Sequence, residues 1–268
     1  MTVRIPHVAG TFYSADENEI RRFWEKHAAP ASTLVAPRAI IVPHAGHFFS
    51  GPTACRVLSS VTIPRVNLLI GPNHYGVGAR FALMEEGAWE TPLGRVPIQD
   101  DLAKALLRAC PYLVADERAH EFEHSLEVEI PFLQIKNPSC SIVPLVVATL
   151  DLRSAHEVAT ALGGVIARWP EPVLLVISTD MSHYESDEVT RKKDQYALQA
   201  IENLDETALA KAVKEFNITM CGFVPVYMLL AMRHVLGLRK ATLVDYRTSG
   251  DATGDRDRVV GYAGFILD

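Results

Sequence analysis

An α/β fold with a central parallel or mixed sheet, covered by helices on both faces, is predicted by three features of this 268-residue chain. First, the strand candidates 39–42, 67–70 and 173–177 are short apolar runs ended by Gly, Pro or Ser, the pattern of strands buried on both faces. Second, strand-like and helix-like segments alternate along most of the length. Third, each of those strands runs into a polar segment that carries histidine. These segments are Pro43-His44-Ala45-Gly46-His47, Gly71-Pro72-Asn73-His74 and Ser178-Thr179-Asp180-Met181-Ser182-His183. Open α/β sheets bind ligands outside the carboxyl ends of their strands. Three histidines and an aspartate delivered to one sheet edge therefore suggest a metal site.

Taken in order, residues 16–27 read as a first helix, with Asp16 as cap and Ile20, Phe23 and Trp24 as its apolar stripe. A linker-like stretch, His27–Thr33, separates it from the strand at 39–42. A helix is expected near 51–60, then the strand at 67–70, short strands at 81–84 and near Val96, and an amphipathic helix over 100–110. Residues 121–134 mix apolar and acidic positions and read as a helix that Pro131 kinks or ends. A strand at 141–147, a helix opened by Asp151 over 151–168, and the strand at 173–177 follow. Helices near 190–203, 205–215 and 221–236 precede two closing strands near 241–246 and 258–266. The Asp/Gly-rich stretch between those strands, 249–255, lacks the spacing and terminal glutamate of an EF-hand loop and reads as a hairpin turn. No strong boundary cuts the chain, so a single domain over residues 1–268 is expected.

Composition narrows the function classes. Hydrophobic residues make up 49% and charged residues 22%, as in ordinary soluble proteins. A formal net charge of -6 gives no electrostatic basis for binding nucleic acid or an anionic membrane surface. No apolar run approaches the roughly 20 residues that span a bilayer. The segment Met1–His7 has no apolar core of a secretory signal, and Cys55, Cys110, Cys140 and Cys221 form no CxxC pair. A cytoplasmic protein with reduced thiols is the expectation.

The site-bearing segments each admit a plain reading beside a chemical one. His44 and His47 lie in a Pro/Gly-punctuated loop, and His74 sits between Gly71 and Gly76, which permit a tight turn. One loop histidine needs no role, but neutral imidazoles at two strand ends are rigidly held metal ligands. Asp180 and His183 form either a helix cap or a pair in which the acid orients the histidine as a base. Cys221 precedes a long apolar helix with Pro225 in its first turn. There the helix dipole favours a thiolate, so this residue reads as a metal ligand or reactive thiol, against a buried structural cysteine. A competing motif is His120-Glu121-Phe122-Glu123-His124, which fits both HExxH and HxxEH, with Glu157 as a candidate third ligand. The pattern fixes only three residues, and no HxxGxxH extension follows.

Pieces along nearly the whole chain resemble the MEMO-like family, whose prokaryotic members are called AmmeMemoRadiSam system protein B. They are His7-Val8-Ala9-Gly10-Thr11-Phe12-Tyr13, Ile41-Val42-Pro43-His44-Ala45-Gly46, Gly71-Pro72-Asn73-His74, Glu123-His124-Ser125-Leu126-Glu127, Ser178–His183, Cys221-Gly222, Ser249-Gly250-Asp251 and Gly261-Tyr262-Ala263-Gly264. The resemblance implies a fold like that of class III extradiol dioxygenases, which hold Fe(II) with two histidines and a glutamate. Carried over by motif, His44 and His74 are the histidine ligands, Cys221 stands in the glutamate's place, and His183 beside Asp180 is the acid/base. His124 is expected to line the substrate pocket. His47, where many relatives carry tyrosine, adds a polar contact there. A thiolate ligand is softer and more oxidisable than a carboxylate. The implied protein is thus a redox enzyme with a mononuclear His-His-Cys non-haem site, dioxygenase-like, acting on a small organic substrate. Fe(II) is the expected metal, with Cu and Zn as alternatives. Two rival functions are a catalytically inactive binding protein with AMMECR1-like and radical SAM partners, and a zinc-dependent hydrolase.

Overall fold

The computed structural model describes residues 2–30 and 34–268. Four parallel strands form the centre of the main sheet in the order β2 (Ala39–Val42), β9 (Val173–Ser178), β3 (Val66–Pro72) and β8 (Ser141–Val147). Antiparallel strands extend it on both sides. Beyond β8 lie β4 (Phe81–Leu83) and then β7 (Val114–Ala115). Beyond β2 lies β12 (Val259–Leu267), which also pairs with β10 (His183–Glu185) and with β11 (Ala241–Thr248). A separate three-stranded sheet joins β1 (Val3–Arg4), β5 (Ala88–Thr91) and β6 (Gly94–Pro97). This is the expected α/β architecture, a mixed sheet covered by helices on both faces.

Period-two burial explains the continuous apolar runs. Ala39, Ile41, Leu68, Ile70, Leu175 and Ile177 join one core, whereas Ile40, Val42, Leu69, Leu174 and Val176 join the other. The first core is closed by α3 (Asp100–Ala109), α5 (Leu152–Ile166), α6 (Asp187–Glu202), α7 (Glu206–Glu215) and α8 (Phe223–Ala231). The second is closed by α1 (Glu17–His27), α2 (His47–Ser59) and α4 (Ile130–Lys136). Strand β9 reaches the sheet from α5 on one face and inserts between β2 and β3, which α2 connects across the other face. That reversal is a topological switch point, where the carboxyl ends of neighbouring strands open a crevice. The register aligns Val42 with Ser178 and Ile70 with Ile177, so His44, His74 and Asp180 leave the sheet at one edge.

Several local expectations are corrected. Residues 121–134 do not form one helix: two 3₁₀ turns, Glu117–His120 and Glu127–Glu129, precede α4. Pro131 sits in the first turn of α4, a position that proline tolerates because its missing N–H has no partner there anyway. The 221–236 segment is split into α8 and α9 (Arg233–Leu236). In place of a hairpin turn, α10 (Gly250–Thr253) joins β11 to β12, and Asp251 pairs with Arg191 and Arg256. Helix α1 ends at His27, as expected, but residues 31–33 of the linker lie outside the described residues. Among the described residues, no helix is long and apolar enough to cross a membrane. All four cysteines are free thiols.

Candidate metal centre

His44 follows β2 and is 1% exposed. Its Nδ1 lies 2.7 Å from Ser178 Oγ, and that hydroxyl donates to the Ser125 carbonyl at 2.6 Å. The serine proton is therefore committed, and Nδ1–H of His44 must be the donor to Oγ. This tautomer leaves a lone pair on Nε2, which faces Cys221 Sγ at 3.2 Å. Burial, reinforced by His74, His124 and His183 nearby, holds this imidazole neutral, well below its ordinary pKa.

His74 follows β3 in a turn that Asn73 builds by accepting from Gly76 N–H and donating to the Val77 carbonyl. Gly76 takes φ +63, which glycine adopts without a Cβ penalty. The ring Nδ1 donates to Glu123 Oε1 at 2.9 Å, and Glu123 also accepts from the backbone N–H of His74 and of Ser125. Burial alone would raise the Glu123 pKa, but the hydrogen bonds from His74 and the Ser125 N–H hold it down at about 2. An ionised carboxylate accepts only, so the Nδ1 proton of His74 is fixed and Nε2 is left free. Such a carboxylate–histidine arrangement orients metal-ligating imidazoles. Glu123 is the functional residue that sequence reasoning passed over, noting it only as part of two motifs. Its partner lies 49 positions away.

Cys221 stands immediately before Gly222, the N-cap of α8. Gly222 N–H donates to Thr179 Oγ1 at 3.0 Å, and a Cβ at 222 would collide with Thr179 and the Ser178 carbonyl. Glycine thus lets the helix start press against the end of β9. The expectation of a lowered thiol pKa does not hold: burial and the Asp180 carboxylate push it up. The Asp180 N–H points at Sγ from 3.2 Å. A cation would displace the thiol proton that now faces His44. The ligand atoms of His44, His74 and Cys221 all lie within 4.8 Å of one another. Two imidazoles whose Nδ1 atoms are already committed, together with one sulfur, make a donor set that fits a transition-metal ion.

The remaining expected residues divide. Asp180 is buried, and its carboxylate accepts from the backbone N–H of His44 at 2.8 Å and of Ala45 at 3.3 Å. Burial, opposed by His183 and these N–H groups, sets its pKa at about 6. It braces the His44 loop. His183 is held by Thr219, its Nδ1 donating to the carbonyl at 2.9 Å and its backbone N–H to Oγ1 at 2.7 Å. No helix forms here, and β10 begins at His183. His124 stacks on His74 with centroids 4.6 Å apart and also meets Phe12 at 4.7 Å, so it walls the cluster. His74, Glu123 and His124 also bring three ligand atoms together. The Glu123 carboxylate is already filled by three N–H donors, which makes it an anchor for His74.

His47 is corrected from a pocket contact to a core residue. It is 6% exposed, donates from Nε2 to the Val128 carbonyl at 2.8 Å, and stacks on Phe132 with centroids 4.2 Å apart. Burial lowers its pKa to about 4. The unfolded chain binds a proton on this ring below pH 6.5 and the folded chain only below about 4. Stability is therefore lost as pH falls from 6.5 to 4, by roughly 3 kcal/mol for a shift of this size. Melting curves across that range are expected to show a shallower acid loss in His47→Phe than in the wild type. Equal slopes would contradict the assignment.

The HExxH match is also corrected. His120 ends a 3₁₀ turn, is fully buried beside Trp89, and belongs to neither ligand cluster among the described residues. Glu157 pairs with Arg153 on the outer face of α5. The helical geometry that a zinc protease needs is not formed.

A family profile described as Memo-like protein matches residues 4–266. The chain belongs to that family. A MEMO1 family protein of Aquifex aeolicus is 42% identical over 269 residues, covering all of both chains. Another, from Methanopyrus kandleri, is 38% identical over 98% of each chain. Among solved structures, an uncharacterized protein of Escherichia coli K12 superposes with a TM-score of 0.54 at 13% identity, over 84% of this chain and 98% of that one. That likeness concerns the fold. The Memo-like match spans all the segments that build the centre, from Arg4 to the closing strand.

Proposed function

We propose that this Memo-like protein is a metal-dependent redox protein that holds one ion, Fe(II) foremost, through His44, His74 and Cys221. The observation that supports this reading is the convergence of ligand atoms of His44, His74 and Cys221 within 4.8 Å of one another, with each Nδ1 already committed to Ser178 or Glu123. A redox-active ion held by His44, His74 and Cys221 would supply electron-transfer chemistry toward a small organic substrate or O₂. The rest of the chemistry belongs to the chain. Asp180 and Ser178 fix the His44 loop, and Glu123 fixes His74. His183, anchored at Nδ1 by Thr219, offers Nε2 as the group that accepts or donates a proton. The stacked His124 shields one side of the cluster.

The test is metal content of protein purified without oxygen. About one iron per chain is expected, lost in His44→Ala and in His74→Ala and retained in His120→Ala. Tightly bound zinc, insensitive to O₂, would favour hydrolysis, since two nitrogens and a sulfur also suit zinc. A chain without metal would favour a binding role with AMMECR1-like and radical SAM partners.

A further inference from the structure

We infer that the N-terminal strap, residues 4–13, is a positioning element of the metal centre, acting through Arg4 and Glu127 on the loop that carries Glu123 and His124. The inference rests on the metal-site reading above and goes beyond it, because neither residue offers a ligand atom to the cluster. Arg4 is 7% exposed, with its guanidinium 4.1 Å above the Trp89 ring. Its Nε donates to the His120 carbonyl at 2.6 Å and one terminal nitrogen to the Glu123 carbonyl at 2.8 Å. The other terminal nitrogen pairs with Glu127 Oε2 at 2.8 Å. One planar fork therefore spans both ends of the 120–123 turn and the start of the next one.

Glu127 completes the clamp. Its Oε1 accepts from Val8 N–H at 3.0 Å and Tyr13 Oη–H at 2.9 Å, and Oε2 accepts from His7 N–H at 2.9 Å. Both oxygens are buried and filled, so the strap and the loop are bound as one unit. Glu123 is consequently gripped twice, by Arg4 at its carbonyl and by His74 and Ser125 at its carboxylate. The same strap reaches the other histidine loop. The Phe12 carbonyl accepts from His47 N–H at 2.7 Å, while the Phe12 ring lies against His124. A Cβ at Gly46 would come within 3.3 Å of that carbonyl, so the loop after His44 is pressed beneath it. The two loops that deliver and orient the histidine ligands are tied together by a segment that contains no ligand.

Co(II), whose visible spectrum reports its ligand field, is the probe. Arg4→Met keeps an unbranched stem over Trp89 but removes every donor, Arg4→Lys keeps the charge, and Glu127→Gln weakens the grip from the other side. Leu162→Ala in α5, on the opposite face of the sheet, serves as a control for general destabilisation. Arg4→Met and Glu127→Gln are expected to bind Co(II) at least roughly tenfold more weakly, the low end of the effect of supporting residues on metal affinity. Their spectra are expected to shift, with partial recovery in Arg4→Lys and none of these changes in Leu162→Ala. Wild-type affinity and spectrum in both Arg4 variants and in Glu127→Gln would overturn the inference while leaving the metal site standing. A wild type that binds no Co(II) would overturn both.

Discussion

Cys221→Ser is expected to lose metal while remaining folded. The thiolate would be the anionic donor of the three, beside His44 and His74. A serine hydroxyl is neutral at ordinary pH and a poor ligand for the softer transition metals. Sites with four protein ligands draw about 10–16 kcal/mol from their donors, so removing one of three should weaken binding by roughly a hundredfold or more. The fold should feel little of this. Serine can still accept the Asp180 N–H that now points at Sγ, and a hydrogen bond of this kind contributes only about 1 kcal/mol. Chelator competition beside a melting curve measures both quantities. Unchanged affinity would remove Cys221 from the site.

Glu123→Gln should act through the orientation of His74. The carboxylate accepts three N–H donors, two of them from His74. Glutamine has one acceptor oxygen and an NH₂ group that donates. Whichever way the amide turns, its NH₂ meets a backbone N–H, that of His74 at one position or of Ser125 at the other. At the second it also faces His74 Nδ1 and favours the tautomer with the proton on Nε2, the nitrogen proposed to bind the metal. Supporting carboxylates of this type change affinity by roughly 10–100-fold. The buried mismatch should also cost about 1–3 kcal/mol of stability. Wild-type affinity in the Glu123→Gln protein would show that Glu123 is structural only, and a heteronuclear NMR measurement of the imidazole nitrogens would reveal whether the tautomer changed.

Much of the site was legible because it hangs on strands β2, β3 and β9. Their apolar runs are buried on both faces, and parallel strands in adjacent register deliver whatever follows them to one edge. His44, His74 and Asp180 are found there, and the thiol of Cys221 joins them from the start of α8. What escaped the sequence depends on contacts distant along the chain. The 121–134 stretch has helical composition, yet its acids are spent on tertiary partners, Glu123 on His74 and Glu127 on Arg4 and the strap. Asp180 looked like a partner for His183 because it lies three positions away, but its carboxylate turns to the His44 loop. The Cys221 thiol sits at a helix start, as expected, and burial and the Asp180 carboxylate outweigh the hydrogen bonds around it. Strands of two or three residues, such as β1 and β10, are too short to show a period.

The most direct measurement is X-ray absorption at the metal edge of protein loaded anaerobically with one equivalent of Fe(II). A His44–His74–Cys221 centre predicts two imidazole nitrogens and one sulfur in the first shell, with the sulfur absent in Cys221→Ser. A first shell without sulfur in the wild-type protein would contradict the central claim.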